Sequence, residues 1–302
     1  MSPLINIRQI VCALLSFGML LSACQPQARI AERAVSPAMK ARFLLTFDDG
    51  PSSPPLSSTT VAVLDCLQDN TVQKNIKAIF FVQTRYAKAG GSESGYALMK
   101  REHKEDHILG LHSGTARGHM NHVAMQPQEL QQSLQDGVND LTVLTGRRPL
   151  FIRPTFWRFS PVTLSRYESN DLNMLMTDVR TYDGLNNRIN IKLHLQSVIR
   201  SELIKVRDRF HQGQLPVVDG VVPVIVTFHD TNTYTAAHLN DYLETLVKEA
   251  NRVGLPLSGL PFYNNSSELE TAALSRTIHP DGVIYARHSL LAAVRETLGS
   301  LF

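Results

Sequence analysis

The sequence predicts an α/β fold in which parallel strands are joined by helical crossovers. Short apolar runs alternate along the chain with segments of helical periodicity, which is typical of this class. The apolar runs also end repeatedly at polar, mostly ionisable side chains: Asp48-Asp49, His112, Arg153, Asp178 and His229-Asp230. Because the carboxyl ends of the strands in a parallel barrel lie at one mouth, we expect these side chains to share a site.

The first strand is predicted from the apolar run Phe43–Phe47, which stops at two adjacent carboxylates, Asp48 and Asp49, before Gly50-Pro51 turns the chain. Two neighbouring like charges are costly unless a positive group lies beside them. A metal ion, an arginine or both would provide that charge.

The remaining strands follow the same pattern of short apolar runs bounded by turn residues. In chain order they are predicted at Lys77–Val82, Ile108–Leu111, Leu150–Ile152, Leu172–Met176, Val221–Phe228 and Leu255–Leu260.

Helices are predicted where apolar residues recur three or four positions apart. The clearest is Gln128–Leu144, in which Leu130, Leu134, Val138 and Leu141 share one face and Gly146 is a stop signal. The others are Thr59–Leu67, a piece ending near Lys104, Ile191–Phe210, Ala236–Val253, Glu268–Ser275 and Leu290–Leu301.

Composition limits the possible classes of function. The 302 residues are 43% hydrophobic and 19% charged, which suits one large domain or at most two. The net charge is only +3 and no run of Lys and Arg stands out, so nucleic-acid binding is not expected. The three cysteines, Cys12, Cys24 and Cys66, form no CxxC pair, so neither a thiolate zinc site nor a disulfide framework is indicated.

The N-terminus has the features of an export signal. Arg8 precedes the apolar run Ile10–Leu21, which is too short for a comfortable membrane span and is followed by small residues. We therefore predict a signal peptide over residues 1–23, a polar tether over 24–40 and a catalytic domain over 41–302.

The tetrapeptide Leu21-Ser22-Ala23-Cys24 resembles a bacterial lipobox, which implies that Cys24 is lipidated and anchors the protein to a membrane. Gln25, in place of Asp, suggests the outer membrane facing the periplasm by analogy with Gram-negative lipoproteins. The alternative is an ordinary secretory signal in which this cysteine is incidental.

The strand-end residues suit metal-assisted hydrolysis. Asp49, His112 and a second histidine, His119 or His122, would supply fixed ligands and leave a position open for water. Two histidines and one carboxylate suit zinc and, equally, non-haem iron. Asp48 could then accept a proton from a water whose pKa the metal lowers toward about 7.

Two further strand ends would complete this chemistry. Arg153 would keep Asp48 ionised through a charge-assisted hydrogen bond, and His229 would protonate the leaving group. Taken separately, Asp-Asp-Gly-Pro is an ordinary turn and His229-Asp230 an ordinary strand-end cap; their joint occurrence favours a site.

The segment Thr46–Pro51 resembles the signature of the polysaccharide deacetylases of carbohydrate esterase family 4. His112-Ser113, Arg153–Phe156 and Thr227–Asp230 are similar to later motifs of that family, and the resemblance covers about residues 42–260. It implies a distorted (β/α) barrel that removes acetyl groups from N-acetylated sugars.

The resemblance also implies residue roles. Asp48 would be the base, Arg153 its orienting partner and His229 the acid, while Asp49 and two histidines would bind a divalent metal, with zinc the expected ion. The backbone N–H near Phe156 would help to hold the oxyanion, and Phe156 and Trp157 would line the substrate side.

Three departures from the family pattern stand out. Ala116 takes the place of the second histidine, so His119 is the predicted ligand across a three-residue insertion and His122 the fallback. Trp157 replaces a glycine and would narrow the groove or stack on a sugar. Arg180 aligns with an Asp that normally pairs with the catalytic histidine, which leaves Asp178 or Asp183 as a substitute.

The sequence therefore predicts a lipid-anchored, metal-dependent deacetylase of an envelope or extracellular glycan, with peptidoglycan and poly-N-acetylglucosamine both suitable. Two alternatives remain open: an amidase or deformylase for a smaller substrate in the same fold, and a non-catalytic glycan-binding lipoprotein.

Overall fold

A computed structural model describes residues 39–53, 58–183 and 192–280. The predicted signal peptide, nearly all of the tether and the helix predicted at Leu290–Leu301 lie outside these residues. Among the described residues, no helix is both long and apolar enough to span a membrane.

Eight strands form one sheet in this part of the chain. They are β1 Lys40–Asp48, β2 Ala78–Gln83, β3 Ile108–Ser113, β4 Phe151–Ile152, β5 Asn173–Met174, β6 Val179–Arg180, β7 Val221–His229 and β8 Leu257–Phe262. The helices are α1 Thr59–Gln68, α2 Glu93–Lys104, α3 Pro127–Thr145, α4 Pro161–Ser169, α5 Lys192–His211, α6 Thr233–Val253 and α7 Ser266–Leu274, with a 3-10 turn at Thr155–Trp157.

The strands lie in the order β5-β4-β3-β2-β1-β7-β6, and β8 pairs with β1 off this path. Every strand pair is parallel. Because β5 and β6 stand at the two ends of the order, the described strands form a barrel that is not closed. The predicted distorted (β/α) barrel is thus confirmed.

β1 is central, and its residues alternate between two environments, as the period of a strand requires. Phe43, Leu45 and Phe47 pack into the larger core cluster with the apolar faces of α1 and α6. Leu44, on the other face, packs with Ile79, Ile225 and the apolar side of α7. Asp48 has the same parity as Leu44, so the strand directs its carboxylate toward the interior of the barrel.

The predicted elements match those in the structure to within a few residues, and Gly146 ends α3 in a left-handed conformation, with φ 77°. The helix α4 and the short strand β6 were not predicted. Cys66 is half-buried and packs against the larger core cluster.

Asp178 was predicted to join the other strand-end residues at the mouth, and this prediction was wrong. It directly precedes β6, so it lies at the amino end of that strand. Its buried carboxylate pairs with Arg209 at 2.9 Å and with Arg276, and accepts a hydrogen bond from the Ile225 amide at 2.9 Å. Two arginines and a backbone amide of β7 therefore bind the Asp178 carboxylate, which has a structural role.

Candidate active site

The carboxyl ends of β1 and β7 place the two candidate catalytic groups beside each other. The parallel register pairs Asp48 with His229 across these strands. Asp49 follows in a left-handed conformation with φ 73°, which aspartate tolerates better than most residues. Because this conformation ends the regular strand geometry, the Asp49 carboxylate contacts different partners from those of Asp48.

Asp48 is held by a buried arginine. Arg153 Nη1 donates to Asp48 Oδ1 at 2.8 Å, and neither side chain is more than 1% exposed. The guanidinium also donates to Thr46 Oγ1 at 2.6 Å and to the backbone carbonyls of Leu175 and Met176. Asp48 Oδ2 is buried without a hydrogen-bond partner among the described residues, so this oxygen is the one available to accept a proton.

The Asp49 carboxylate lies between two histidines. Asp49 Oδ1 is 3.2 Å from His112 Nε2 and 3.2 Å from His119 Nε2. One ligand atom from each of the three residues falls within 4.8 Å of the others. Asp49 Oδ1 is buried and otherwise lacks a hydrogen-bond partner in the described chain. A carboxylate oxygen facing two imidazole nitrogens is a donor set that fits a divalent cation.

Both histidines are suited to binding as neutral ligands. His112 Nδ1 lies 2.8 Å from the Arg153 carbonyl, which fixes its proton on Nδ1 and leaves a lone pair on Nε2. Burial lowers the pKa of His119, against the opposing charge of Asp49. Burial alone would raise the pKa of Asp49, but the hydrogen bond and charge of His112, with the charges of His119 and His229, lower it below its ordinary value.

His122, the fallback ligand, is not part of this group. Its ring is buried, and its Nδ1 contacts the Tyr167 hydroxyl at 2.8 Å. Burial and the charges of His112 and His119 lower the pKa of His122 to about 3. The structure therefore brings His119, and not His122, to Asp49.

His229 has an acidic partner despite the altered family motif. Its Nδ1 lies 2.8 Å from Asp183 Oδ1, and its backbone N–H donates to Asp183 Oδ2 at 2.7 Å. Burial alone would lower the pKa of His229, but the hydrogen bond and charge of Asp183, with the charges of Asp48 and Asp49, raise it to about 10. Two residues were predicted to replace the missing acidic partner of His229. The structure places Asp183 beside His229, whereas Asp178 lies elsewhere.

Asp183 is itself fixed by neighbours that the sequence did not single out. Thr235 Oγ1 donates to Asp183 Oδ2 at 2.7 Å, and Thr181 Oγ1 donates to Asp183 Oδ1 at 3.1 Å. The side chain of Asn232, which caps α6, donates to the Asp183 carbonyl at 2.9 Å. No local pattern reveals the contacts of Thr235 and Asn232, because these residues lie about 50 positions after Asp183 in the chain.

Asp230 lies behind the site. Its carboxylate is fully buried and accepts a hydrogen bond from Thr60 Oγ1 at 2.5 Å. Burial raises the pKa of Asp230 to about 7, despite the opposing effect of the hydrogen bond from Thr60. A Cβ on Gly50 would lie 2.3 Å from Asp230 Oδ2, so this close approach explains the glycine after Asp49.

Phe156 and Trp157 form part of the wall of a pocket of about 630 Å³. Both adopt left-handed backbone conformations, with φ 55° and 59°, which are strained for bulky residues. The Phe156 ring lies 4.2 Å from that of His119. The backbone N–H of Trp157 donates to the Pro154 carbonyl, so it is not available as an oxyanion donor.

The pocket is lined by Asp49, His119, Phe156, Trp157, Arg180, Thr181, Tyr182, Asp183, Thr227, His229, Thr231 and Asn232.

Comparison with known families agrees with this geometry. Residues 36–175 match the family model of polysaccharide deacetylases. This stretch of the chain, which is less than half of its length, is similar to polysaccharide deacetylases.

Two curated proteins that are similar to this chain are peptidoglycan-N-acetylglucosamine deacetylases. PgdA of Listeria monocytogenes is 37% identical over 123 residues, which cover 38% of this chain and 21% of the relative. The Bacillus cereus enzyme is 32% identical over 120 residues, which cover 40% of this chain and 38% of the relative. The matched stretch thus spans about a fifth of the first relative and less than two fifths of the second.

Solved structures share the fold of this chain. The chitin deacetylase of Colletotrichum lindemuthianum superposes with a TM-score of 0.53 at 17% identity, covering 73% of this chain and 85% of that one. A family 4 acetyl xylan esterase of Clostridium thermocellum, in complex with a cobalt ion, superposes with a TM-score of 0.51 at 21% identity, covering 76% and 90%. At these identities the likeness establishes the fold.

Proposed function

We propose that this protein is a metal-dependent hydrolase that removes N-acetyl groups from an amino-sugar glycan of the cell envelope. The main support for this proposal is that two adjacent carboxylates have different partners. Asp48 is held by Arg153 with one oxygen free, whereas Asp49 faces the nitrogens of His112 and His119. The curated relatives, which deacetylate peptidoglycan N-acetylglucosamine by name, support this substrate class.

Asp49, His112 and His119 would hold the metal, and zinc is our proposed ion because it accepts two imidazoles and a carboxylate. When bound, such an ion supplies Lewis-acid activation of water and of the acetamide carbonyl. Asp48 Oδ2 accepts the proton of the attacking water. Arg153 keeps Asp48 charged and oriented, because a buried carboxylate without its cation would favour the neutral form.

His229 donates a proton to the leaving group. Its Nε2 is 4.0 Å from Asp49 Oδ2 and borders the pocket, while Nδ1 is held by Asp183. Since the pKa of His229 is about 10, the imidazole is protonated near neutral pH and can donate from Nε2 to the departing sugar nitrogen. The backbone N–H of Phe156 is our proposed donor to the oxyanion.

We also propose that the protein is exported and anchored through a lipid on Cys24, facing the periplasm from the outer membrane. The support is the sequence of residues 8–25, which lies outside the described residues. Mass spectrometry of the mature N-terminus tests this: a diacylglyceryl-modified Cys24 is expected, and cleavage at another position would contradict it.

The function is tested by measuring bound metal in the purified full chain and acetate release from N-acetylated glycans. We expect about one divalent ion per chain, acetate release that a chelator abolishes, and recovery when zinc is returned. A chain that binds no metal and releases no acetate would contradict the enzymatic proposal and favour a glycan-binding role.

A further inference from the structure

The pocket beside His229 contains one permanently cationic side chain. Among its lining residues in the described chain, the ionisable groups are Asp49, His119, Arg180, Tyr182, Asp183 and His229. Of these, only Arg180 is an arginine or lysine, so its positive charge does not depend on pH.

Arg180 stands close to the reacting groups because of its place in the sheet. It is the last residue of β6, and the parallel register pairs it with Thr227, two residues before His229 on β7. Its side chain is exposed, and no ion pair or hydrogen bond joins its guanidinium to another residue of the described ranges.

Trp157 holds this guanidinium in place. The Arg180 Cζ atom lies 4.8 Å from the centre of the Trp157 ring. Stacking on an aromatic face leaves the N–H groups at the edge of a guanidinium free to donate, and that planar edge matches a carboxylate through two parallel hydrogen bonds. Trp157 keeps its strained conformation at φ 59°, so the turn that presents this ring to Arg180 is maintained despite its cost.

The acidic groups nearby are already engaged and do not neutralise Arg180. Asp183 binds His229 and Thr235, and Asp49 faces the two histidines. Lys205, whose charge interacts with that of Arg180, is paired with Glu202. An unpaired arginine on an aromatic surface therefore faces the pocket, and a neutral N-acetylated sugar offers it no charged partner.

We propose that this pocket binds an acetamido sugar whose glycan carries a carboxylate, and that Arg180, supported by Trp157, recognises that carboxylate. The inference rests on the proposed deacetylase function and names its substrate class. The carboxylate has two possible sources: an ether-linked lactyl group on the acetamido sugar itself, or a uronic acid next to it in the chain.

The test compares three glycans with the full-length, metal-loaded protein: an oligosaccharide containing N-acetylmuramic acid, one that alternates N-acetylhexosamine with uronic acid, and a neutral chito-oligosaccharide. Binding is measured by calorimetry and turnover by acetate release. The variants are Arg180→Gln, which removes the charge, and Arg180→Lys, which keeps it. Arg158→Gln is the matched control, because Arg158 is exposed, lies next to Trp157 in sequence and does not line the pocket.

We expect at least one carboxylate-bearing glycan to bind more tightly than the neutral one, by about tenfold, as a charge-assisted hydrogen bond permits. Arg180→Gln should abolish this preference, Arg180→Lys should retain part of it, and Arg158→Gln should retain it fully. Preference for the first glycan alone identifies the lactyl group, and preference for the second alone identifies the uronic acid.

Equal binding of all three glycans, absence of binding, or a preference that Arg180→Gln leaves intact would overturn the inference. The binding measurement separates this failure from failure of the proposed function. A protein that prefers the acidic glycan through Arg180 but releases no acetate would contradict the hydrolase and retain the recognition site.

Discussion

The guanidinium of Arg153 donates a hydrogen bond to Asp48 Oδ1 at 2.8 Å, with both side chains buried in the barrel. Burial lowers the pKa of Arg153, and the charge of Asp48 opposes this effect. The opposite charges of the two groups therefore compensate each other inside the barrel.

Arg153→Gln should destabilise the fold by about 3–5 kcal/mol, because it leaves the Asp48 carboxylate buried without its cation. Urea unfolding measures this difference. Lys74→Gln, which removes one member of a highly exposed ion pair with Asp69, is the control and should cost at most about 1 kcal/mol. Similar losses in the two variants would contradict the proposed dependence.

His119→Ala should remove the bound metal, because His119 Nε2 faces Asp49 Oδ1. His122→Ala should retain it, since His122 contacts Tyr167 instead. Metal per folded chain, measured by elemental mass spectrometry alongside circular dichroism, distinguishes the two. Loss of metal only in His122→Ala would show that the assignment of the ligand is wrong.

Asp183→Asn should shift the alkaline limb of kcat/KM to lower pH. Asp183 raises the pKa of His229 to about 10, and donation requires the protonated imidazole. Removing that charge lowers the pKa, so the protonated fraction is lost at a lower pH. Asp178→Asn, which disturbs Arg209 and Arg276 instead, should leave the limb in place. An unchanged limb in Asp183→Asn would exclude His229 as the acid held by Asp183.

Gly50→Ala should destabilise the protein by about 1–3 kcal/mol, because the added methyl would overlap the Asp230 carboxylate. Gly259→Ala is the control within a strand, where a Cβ meets nothing within 4 Å, and it should change stability by no more than about 0.5 kcal/mol. Thermal unfolding of both variants is the measurement. Equal stability of the two would contradict the close approach of Asp230 to Gly50.

The apolar runs were sufficient to predict parallel strands joined by helical crossovers, and the resemblance to polysaccharide deacetylases implied the barrel. The same pattern predicted that Asp48, Asp49, Arg153 and His229 lie close together, because the carboxyl ends of parallel strands meet at one edge of the sheet. The choice of His119 as a ligand rested on the spacing of a loop, and the structure places its Nε2 3.2 Å from Asp49 Oδ1.

Other features depended on contacts that no local pattern encodes. Asp178 and Asp183 look alike in sequence, yet arginines from α5 and from the segment after α7 bind the first, whereas His229 and Thr235 bind the second. The stacking of Arg180 on Trp157 likewise joins β6 to a turn more than 20 residues earlier.

We propose that Asp48 is the base and Asp49 a metal ligand. The variants Asp48→Asn and Asp49→Asn test these different roles most directly when bound metal and acetate release are measured for both. Asparagine also tolerates the left-handed backbone at position 49, so the second change is conservative. We predict that Asp48→Asn keeps its metal but loses about 100-fold or more in kcat, the range expected for a general base, whereas Asp49→Asn loses both. Acetate release by Asp48→Asn at a rate close to that of the unaltered protein would contradict the account.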